Sequence, residues 1–262
     1  MTWYILFTVL ILFILVLSTE INRRRRPKHN FISYYKNYDM ILMGILNTIY
    51  KLYDNACIFK YKKLDIHKLL QKNHDKLLNE FNENYSKYKL VNPGIFSNEF
   101  HETNNKYGYF NIKYYGNLNE DKFPLLTKLV DDDDIYTCFY SVIKGKKDIP
   151  EHRGPYAGIL RYHYTLFSSN DDKDYLKVNG DNKLFWREKD GFLFDDTYFH
   201  EAQKKSSGIR VALIIDIKRK LPFILDRMNT LFLIYISNTE YVNSSRKKLT
   251  MKLKKKIKLY NK

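Results

Sequence analysis

The pattern of apolar and polar positions divides this chain into four kinds of segment. From Met1 to Thr19 there is no charged residue, and "WYILFTVLILFILVLS" is almost wholly apolar. Nineteen helical residues at about 1.5 Å each reach roughly 28 Å, close to the hydrocarbon thickness of a bilayer. The start lacks a basic segment and "LSTEIN" lacks a small-x-small pattern, so an uncleaved anchor is expected over 1–19 rather than a signal peptide. Residues 20–38 form a basic linker in which Pro27 discourages helix.

Between 39 and 91 apolar residues recur at helical spacing. In "IHKLLQKNHDKLLNEF" the spacing predicts that Leu69, Leu70, Leu77, Leu78 and Phe81 share a face, with His67 and His74 as exposed polar residues. After "NPG" at 92–94 the pattern changes to short aromatic and β-branched runs punctuated by Gly, Asn and Asp. "YGYFNIKYYG", "IYTCFYSVI", "GILRYHYTLF", "YLKVNG", "KLFWREKDGFLF" and "IRVALIIDI" are each of strand length. Many short strands so spaced predict a sandwich, jelly roll or barrel over 92–222. Asp131–Asp134 reads as a solvated loop, since nothing beside it supplies the spacing of a calcium loop. Past Pro222, "TLFLIYI" is apolar again and is followed by a basic tail, making 223–262 a separate segment.

Composition narrows the function. The chain has 262 residues, 44% of them hydrophobic, so a packed core is within reach and wholesale disorder is excluded. Two cysteines, Cys57 and Cys138, give no disulfide framework or zinc knuckle. The net charge of +16 follows largely from heavy use of Lys alongside Asn, Tyr and Ile. No nucleic-acid module accompanies it, and no nucleic-acid partner is expected. Arg23–Arg26 lies on the C-terminal side of the apolar run, so the positive-inside rule places the rest of the chain in the cytoplasm, held by a single pass.

The chemistry-bearing residues gather between 149 and 210. If Ile159–Leu166 is a strand, alternation sends Arg161, His163 and Thr165 to one face and Leu160, Tyr162, Tyr164 and Leu166 to the other. That cationic face would suit a small carboxylate; an ordinary solvent face is the plainer alternative. His152 and His200 are too far apart for one element but suit two strands brought together across a barrel. Non-haem iron(II) oxygenases use two histidines and a carboxylate on one face of the metal. Here the residue two after His152 is Gly154, so that carboxylate is missing; Asp195, Asp196 and Glu201 are possible substitutes, with a turn-shaping role expected for Asp195 and Asp196.

"HRGPYAGILRYH", then "VNGDNKLFWREKDGFLFDDTYFHEA" and "RVALIIDI", resemble the aspartyl/asparaginyl β-hydroxylase family of Fe(II)- and 2-oxoglutarate-dependent dioxygenases, from about Gly108 to Pro222. The family includes lipid A hydroxylases. The resemblance implies a double-stranded β-helix of the jelly-roll, cupin-like type, preceded by N-terminal helices and the transmembrane helix. It implies His152 and His200 as iron ligands, and Arg161 and His163 at the keto-acid end of 2-oxoglutarate. Arg210 would hold the distal carboxylate, assisted by Ser141. Gly154 departs from the lipid A branch, which carries Asp there, and matches the aspartyl/asparaginyl branch, in which water completes the iron shell. The implied reaction consumes O2 and hydroxylates a peptide Asp or Asn side chain, or a lipid acyl chain at a membrane, releasing succinate and CO2. Two other classes are weighed against it: a non-catalytic membrane-tethered β-barrel that binds a ligand, and a basic membrane-surface scaffold. Loss of any one of His152, His200 or Arg210 need not abolish binding by the first, and the second would survive mutation of all three.

Overall fold

The computed structural model describes residues 3–8, 11, 37–88, 90–91, 106–118, 122–247 and 249. The expected anchor lies mostly outside the described residues, as do the linker to residue 36 and the tail from 250. Among the described residues no helix is long and apolar enough to cross a membrane.

Among the described residues eleven strands form two antiparallel sheets. They are β1 (Ile58–Phe59), β2 (Tyr107–Tyr114), β3 (Asn117–Leu118), β4 (Ile135–Lys144), β5 (Lys147–His152), β6 (Ile159–Phe167), β7 (Tyr175–Val178), β8 (Asn182–Phe185), β9 (Gly191–Phe194), β10 (His200–Lys204) and β11 (Ile209–Lys218). One sheet has the order β1-β9-β6-β11-β4-β2-β3, the other β5-β10-β7-β8. The eight strands from β4 to β11 are dealt out between the two sheets, four to each. Each sheet pairs the first of its four with the last, β4 with β11 and β5 with β10. That nesting is the double-stranded β-helix, a form of jelly roll.

Alternation along the long strands separates two environments. Cys138, Tyr140 and Val142 on β4, Tyr162, Tyr164 and Leu166 on β6, and Val211, Leu213 and Ile215 on β11 face outward into a buried cluster. Helices α1 (Asn37–Tyr53), α2 (Asp65–Lys72), α3 (His74–Tyr85), α4 (Pro124–Leu129) and α5 (Phe223–Ser237) complete the fold. Leu70, Leu77, Phe81 and Leu126 from α2, α3 and α4 close the outward cluster. Ile143, Phe192 and Ala212 face the other way and pack against Ile149, Leu176 and Ala202 of the four-stranded sheet. α1 and α5 pack on each other through Met43, Leu46, Tyr50, Phe232, Leu233 and Ile236, away from both clusters.

Two expectations about the helical region are corrected. The stretch 66–81 is not one helix: it breaks at Asn73 between α2 and α3, which turns Leu69 out to solvent at 42% exposure while Leu70 and Leu77 are fully buried. His67 and His74 are buried, not exposed. Each accepts or donates at Nδ1 with a tyrosine hydroxyl of β6, His67 with Tyr162 at 2.7 Å and His74 with Tyr164 at 2.9 Å. The outward face of β6 carries tyrosines rather than aliphatic residues, so it requires polar partners beneath the helices. Burial lowers the pKa of both imidazoles and keeps them neutral. Asp131–Asp134 is the exposed loop that was expected.

Candidate active site

His152 ends β5 and His200 begins β10, and the two are direct cross-strand partners in the four-stranded sheet. They therefore meet within one sheet, side by side, rather than across the barrel. The register after His200 is shifted by an irregularity before Ala202. The ring centroids lie 4.2 Å apart. His152 Nδ1 is 2.8 Å from the Pro150 carbonyl and His200 Nδ1 is 2.9 Å from the Tyr198 carbonyl. A carbonyl can only accept, so both rings carry hydrogen on Nδ1 and a lone pair on Nε2. Burial lowers the pKa of His152 to about 4, and burial with the nearby His152 holds His200 well below the usual range. Two neutral imidazoles with oriented Nε2 lone pairs are suitable donors for a divalent transition metal. Among the described residues no third His, Cys, Asp or Glu joins them in a ready-made cluster.

The floor of the same cavity is the inward face of β4, β6 and β11. Arg210 on β11 is 2% exposed, and its guanidinium donates from Nη1 to Ser141 Oγ at 3.1 Å and to the Ser141 carbonyl at 3.3 Å. It lies 4.7 Å over the ring of Trp186, and its buried Nε has no hydrogen-bond partner. Among the described residues no carboxylate is within ion-pair distance of it. Desolvation lowers its pKa to about 10. A buried cation without a counter-ion is costly, and its orphaned donor points to an anionic ligand as the missing partner.

Arg161 and His163 share the inward face of β6, as alternation predicted, and nothing of that face is open solvent surface: His163 is 4% exposed and Thr165 fully buried. Arg161 is already engaged. Its Nη1 lies 2.9 Å from Asp196, and its Nε and Nη2 lie 2.8 and 3.1 Å from Asp216, which also accepts from Thr137 at 2.5 Å. His163 Nδ1 accepts from Trp186 Nε1 at 3.4 Å. Burial and the fields of Arg210 and Arg161 keep His163 neutral.

Of the three carboxylates weighed as substitutes for the one missing at 154, Asp195 is a structural turn residue. It accepts from Thr197 and pairs with buried Arg219 at 2.9 Å. Glu201 points to Lys177, 3.2 Å away. Asp196 alone lines the cavity; its Oδ1 is buried with no partner, and burial, Asp216 and Asp195 raise its pKa to about 7 against the opposing effect of Arg161. Trp186 and Asp216 are cavity residues that sequence reasoning did not assign, and Asp196 was weighed there as a possible substitute with a turn-shaping role expected for it.

The cavity has a volume of about 220 Å³. Beyond the polar floor its walls are Tyr107, Tyr109, Tyr114, Phe139, Tyr156 and Ile236, with Tyr241 at the side of α5. Loop 153–158, which leaves His152, is clamped from two sides. Asn47 of α1 donates to the Pro155 carbonyl at 2.9 Å and accepts from the Ala157 amide at 2.7 Å. Asn229 of α5 donates to the Gly158 carbonyl and accepts from the Tyr156 hydroxyl, both at 2.8 Å.

Residues 66–220 match the sequence model of the aspartyl/asparaginyl beta-hydroxylases. The chain belongs to this family. The matched span takes in α2 and α3 as well as the barrel, in keeping with the core they share with the seven-stranded sheet. A curated relative, the ornithine lipid ester-linked acyl 2-hydroxylase of Rhizobium tropici, is 37% identical over 86 residues. That match covers 32% of this chain and 30% of the relative, so the chain spans under a third of its length. Among solved structures, this family member is similar to HygX from Streptomyces hygroscopicus with nickel and 2-oxoglutarate bound, at 12% identity and a TM-score of 0.40, covering 56% of this chain and 79% of that one. It is also similar to a Pseudomonas putida prolyl-4-hydroxylase, at 12% identity and a TM-score of 0.41, covering 57% and 88%.

Proposed function

We propose that the protein is an Fe(II)- and 2-oxoglutarate-dependent dioxygenase that hydroxylates an unactivated C–H bond of a lipid acyl chain. The observation that carries this reading is the buried Arg210, without a carboxylate partner among the described residues, in one cavity with two neutral, oriented imidazoles. When bound, iron and 2-oxoglutarate supply the oxidising power, using O2 and releasing succinate and CO2.

This chain's own residues hold and orient. His152 and His200 present their Nε2 lone pairs to the metal, and the carbonyls of Pro150 and Tyr198 fix the tautomer of each ring. Arg210 takes the distal carboxylate of the keto diacid, and Ser141 limits how the guanidinium turns. The Trp186 ring lies against the other side of that guanidinium and fixes His163 through Nε1. Arg161 keeps one edge on Asp216, so the edge it shares with Asp196 is the part available to the keto-acid end. Gly154 offers no side chain, so His152 and His200 would be the residues that hold the metal.

The acyl-chain reading draws on the cavity wall. Beyond Arg161 and Arg210 at its floor, the described lining carries tyrosines, Phe139 and Ile236 and no further Lys or Arg to receive a peptide carboxylate. A volume of about 220 Å³ lies below the roughly 300–1,000 Å³ of sites that enclose a small molecule, so most of any lipid stays outside. The named activity of the Rhizobium relative supports the same substrate class. The apolar run before Arg23–Arg26 supports single-pass attachment with the barrel on the cytoplasmic side.

The test uses the full chain in lipid vesicles with iron(II), 2-oxoglutarate and ascorbate. Succinate is expected in step with a hydroxylated acyl chain, and neither product with Arg210→Met. Succinate coupled to a hydroxylated peptide would replace the substrate. No succinate from metal-loaded, folded protein with any lipid or peptide would return the binding-protein reading.

A further inference from the structure

α5 is apolar on two opposite faces. Phe232, Leu233 and Ile236 are buried in one cluster with α1 and with Tyr156, Ala157 and Ile159 around the start of β6, while Ile224, Met228, Leu231 and Ile234, on the opposite stripe, lie open to solvent, with Ile224 at 72% and Leu231 at 68% exposure. α1 repeats the arrangement. Met43, Leu46 and Tyr50 point inward, and Ile41, Leu42, Leu52 and Tyr53 point out, Leu52 at 81%. The helices are held together by their buried stripes and by the Tyr235 hydroxyl, which donates to Asp39 at 2.6 Å. Both outer stripes thus lie on the side of their helices opposite the cluster shared with Tyr156, Ala157 and Ile159. A surface helix of a globular domain puts charge on its outer face; a helix apolar all round is one with a second apolar environment to meet.

Charge identifies that environment. Asp39 is the only carboxylate of α1 and is buried. Asp226 is the only one of α5 and pairs with Lys218 at 3.3 Å. The sequence leading to α1 contains Arg23–Arg26, and residues 246–262, which follow α5 in sequence, hold nine Lys and Arg and no Asp or Glu. An apolar layer without free carboxylates, flanked in sequence by two basic segments, complements anionic headgroups over an acyl interior. Phe223, Tyr53 and Tyr235 are exposed aromatics of the kind that settle at the headgroup level.

The cavity is at the same place. Ile236 of α5 and Tyr241 just beyond it line its wall, and Asn47 and Asn229 reach from these two helices to the loop that leaves His152. We propose that the outer stripes of α1 and α5 form a face that docks on an anionic lipid bilayer, with the cavity beside it. This contact is separate from any spanning by the apolar run at residues 3–18, and it does not depend on which bond the site oxidises.

The test places an environment-sensitive fluorophore at Leu231→Cys, at Leu52→Cys and, as control, at Lys183→Cys on β8, each in full-chain Cys57→Ser protein. The protein is reconstituted in vesicles of phosphatidylcholine and phosphatidylglycerol, with and without spin-labelled lipid. The expected result is blue-shifted emission at 231 and 52, lost for the most part when spin-labelled lipid is present, with the 183 probe unchanged. All three sites are exposed, so folding is preserved, and 231 and 52 check each other from separate helices. Water-like emission at both sites in vesicles would overturn the proposal. So would a blue shift that spin-labelled lipid leaves intact, which would mean that protein covers the face.

Discussion

The Asp196 carboxylate occupies the space that a side chain at position 154 would need. A Cβ built on Gly154 falls well inside van der Waals contact of both Asp196 oxygens, and the Gly154 amide donates to the Asp196 carbonyl at 2.7 Å. The glycine and the aspartate are thus two halves of one arrangement. A carboxylate is present beside the histidine pair, but it is delivered from the strand-to-strand turn before His200 and is held by Arg161.

Gly154→Ala is expected to destabilise the protein by about 1–3 kcal/mol, the usual cost of overpacking a filled site. Adding Asp196→Ala should recover part of that loss, because the second change removes the atoms that the new methyl meets. Chemical denaturation of the two single variants and the double variant measures the coupling. Strict additivity would show that the two positions do not compete for space.

Loss of either histidine removes half of the protein's donor set. His152→Ala and His200→Ala should each weaken binding of iron(II), or of nickel(II) as a redox-silent stand-in, by more than the roughly 10–100-fold typical of losing an outer partner. Calorimetric titration reads this directly. Tight binding by either variant would move the metal elsewhere.

Arg210→Met should weaken 2-oxoglutarate binding by about 2–5 kcal/mol, roughly 30-fold to several-thousand-fold. Ser141→Ala removes one neutral contact to that guanidinium and should cost about 1 kcal/mol, or roughly fivefold. Titrating the keto diacid into nickel-loaded protein separates the two. Equal losses would mean that Ser141 contacts the ligand itself.

Asn47→Ala leaves the Ala157 amide and Pro155 carbonyl of the His152 loop without their partner, at a cost of about 1–3 kcal/mol. Thermal melting checks this. Metal affinity should fall with it, since the loop sets where β5 ends. Unchanged melting would mean that water replaces the amide at no cost.

His67 is neutral in the fold, with its pKa lowered below 6.5 by burial. The unfolded chain therefore binds more protons as pH drops through 6.5, and the stability from keeping this ring neutral is complete above that pH and lost below it. Asp196, whose pKa is raised, acts in the opposite sense, so a comparison isolates the histidine better than one curve. His67→Gln should melt lower than the parent well above pH 6.5, and the gap should narrow well below it. A constant gap would mean that the ring takes up its proton at the same pH in the folded and unfolded chain.

The long strands of the seven-stranded sheet were legible because each has an apolar outer face and sits between turn residues. β6 even showed its inward pair, Arg161 and His163. The strands that carry His152 and His200 were expected only from the separation of the two histidines, not from their own residue patterns. "KDIPEH" and "HEAQK" are polar because their sheet has solvent on one side and a cavity on the other, so neither face demands a run of apolar residues. Pro150 is tolerated because β5 is an edge strand, where a missing N–H interrupts no ladder. Among site residues, Asp216 had a visible signal, a lone carboxylate within "IIDI". Asp196 was visible only as one of three possible carboxylates, because only the tertiary structure distinguishes it from the adjacent Asp195. The break at Asn73 was equally hidden, since Leu70 and Leu77 fit the helical period on either side of it.

The cross-strand pairing of His152 with His200 also bears on how the sheet chooses its alignment. Side chains alternate with a period of two, so sliding β5 past β10 by one residue would turn one imidazole away from the other. An ion gripped by both rings rejects every such slip. The two strands lie far apart in sequence, and each offers few apolar contacts to fix their match. The metal would then act as a register pin, selecting the one alignment in which it can also work.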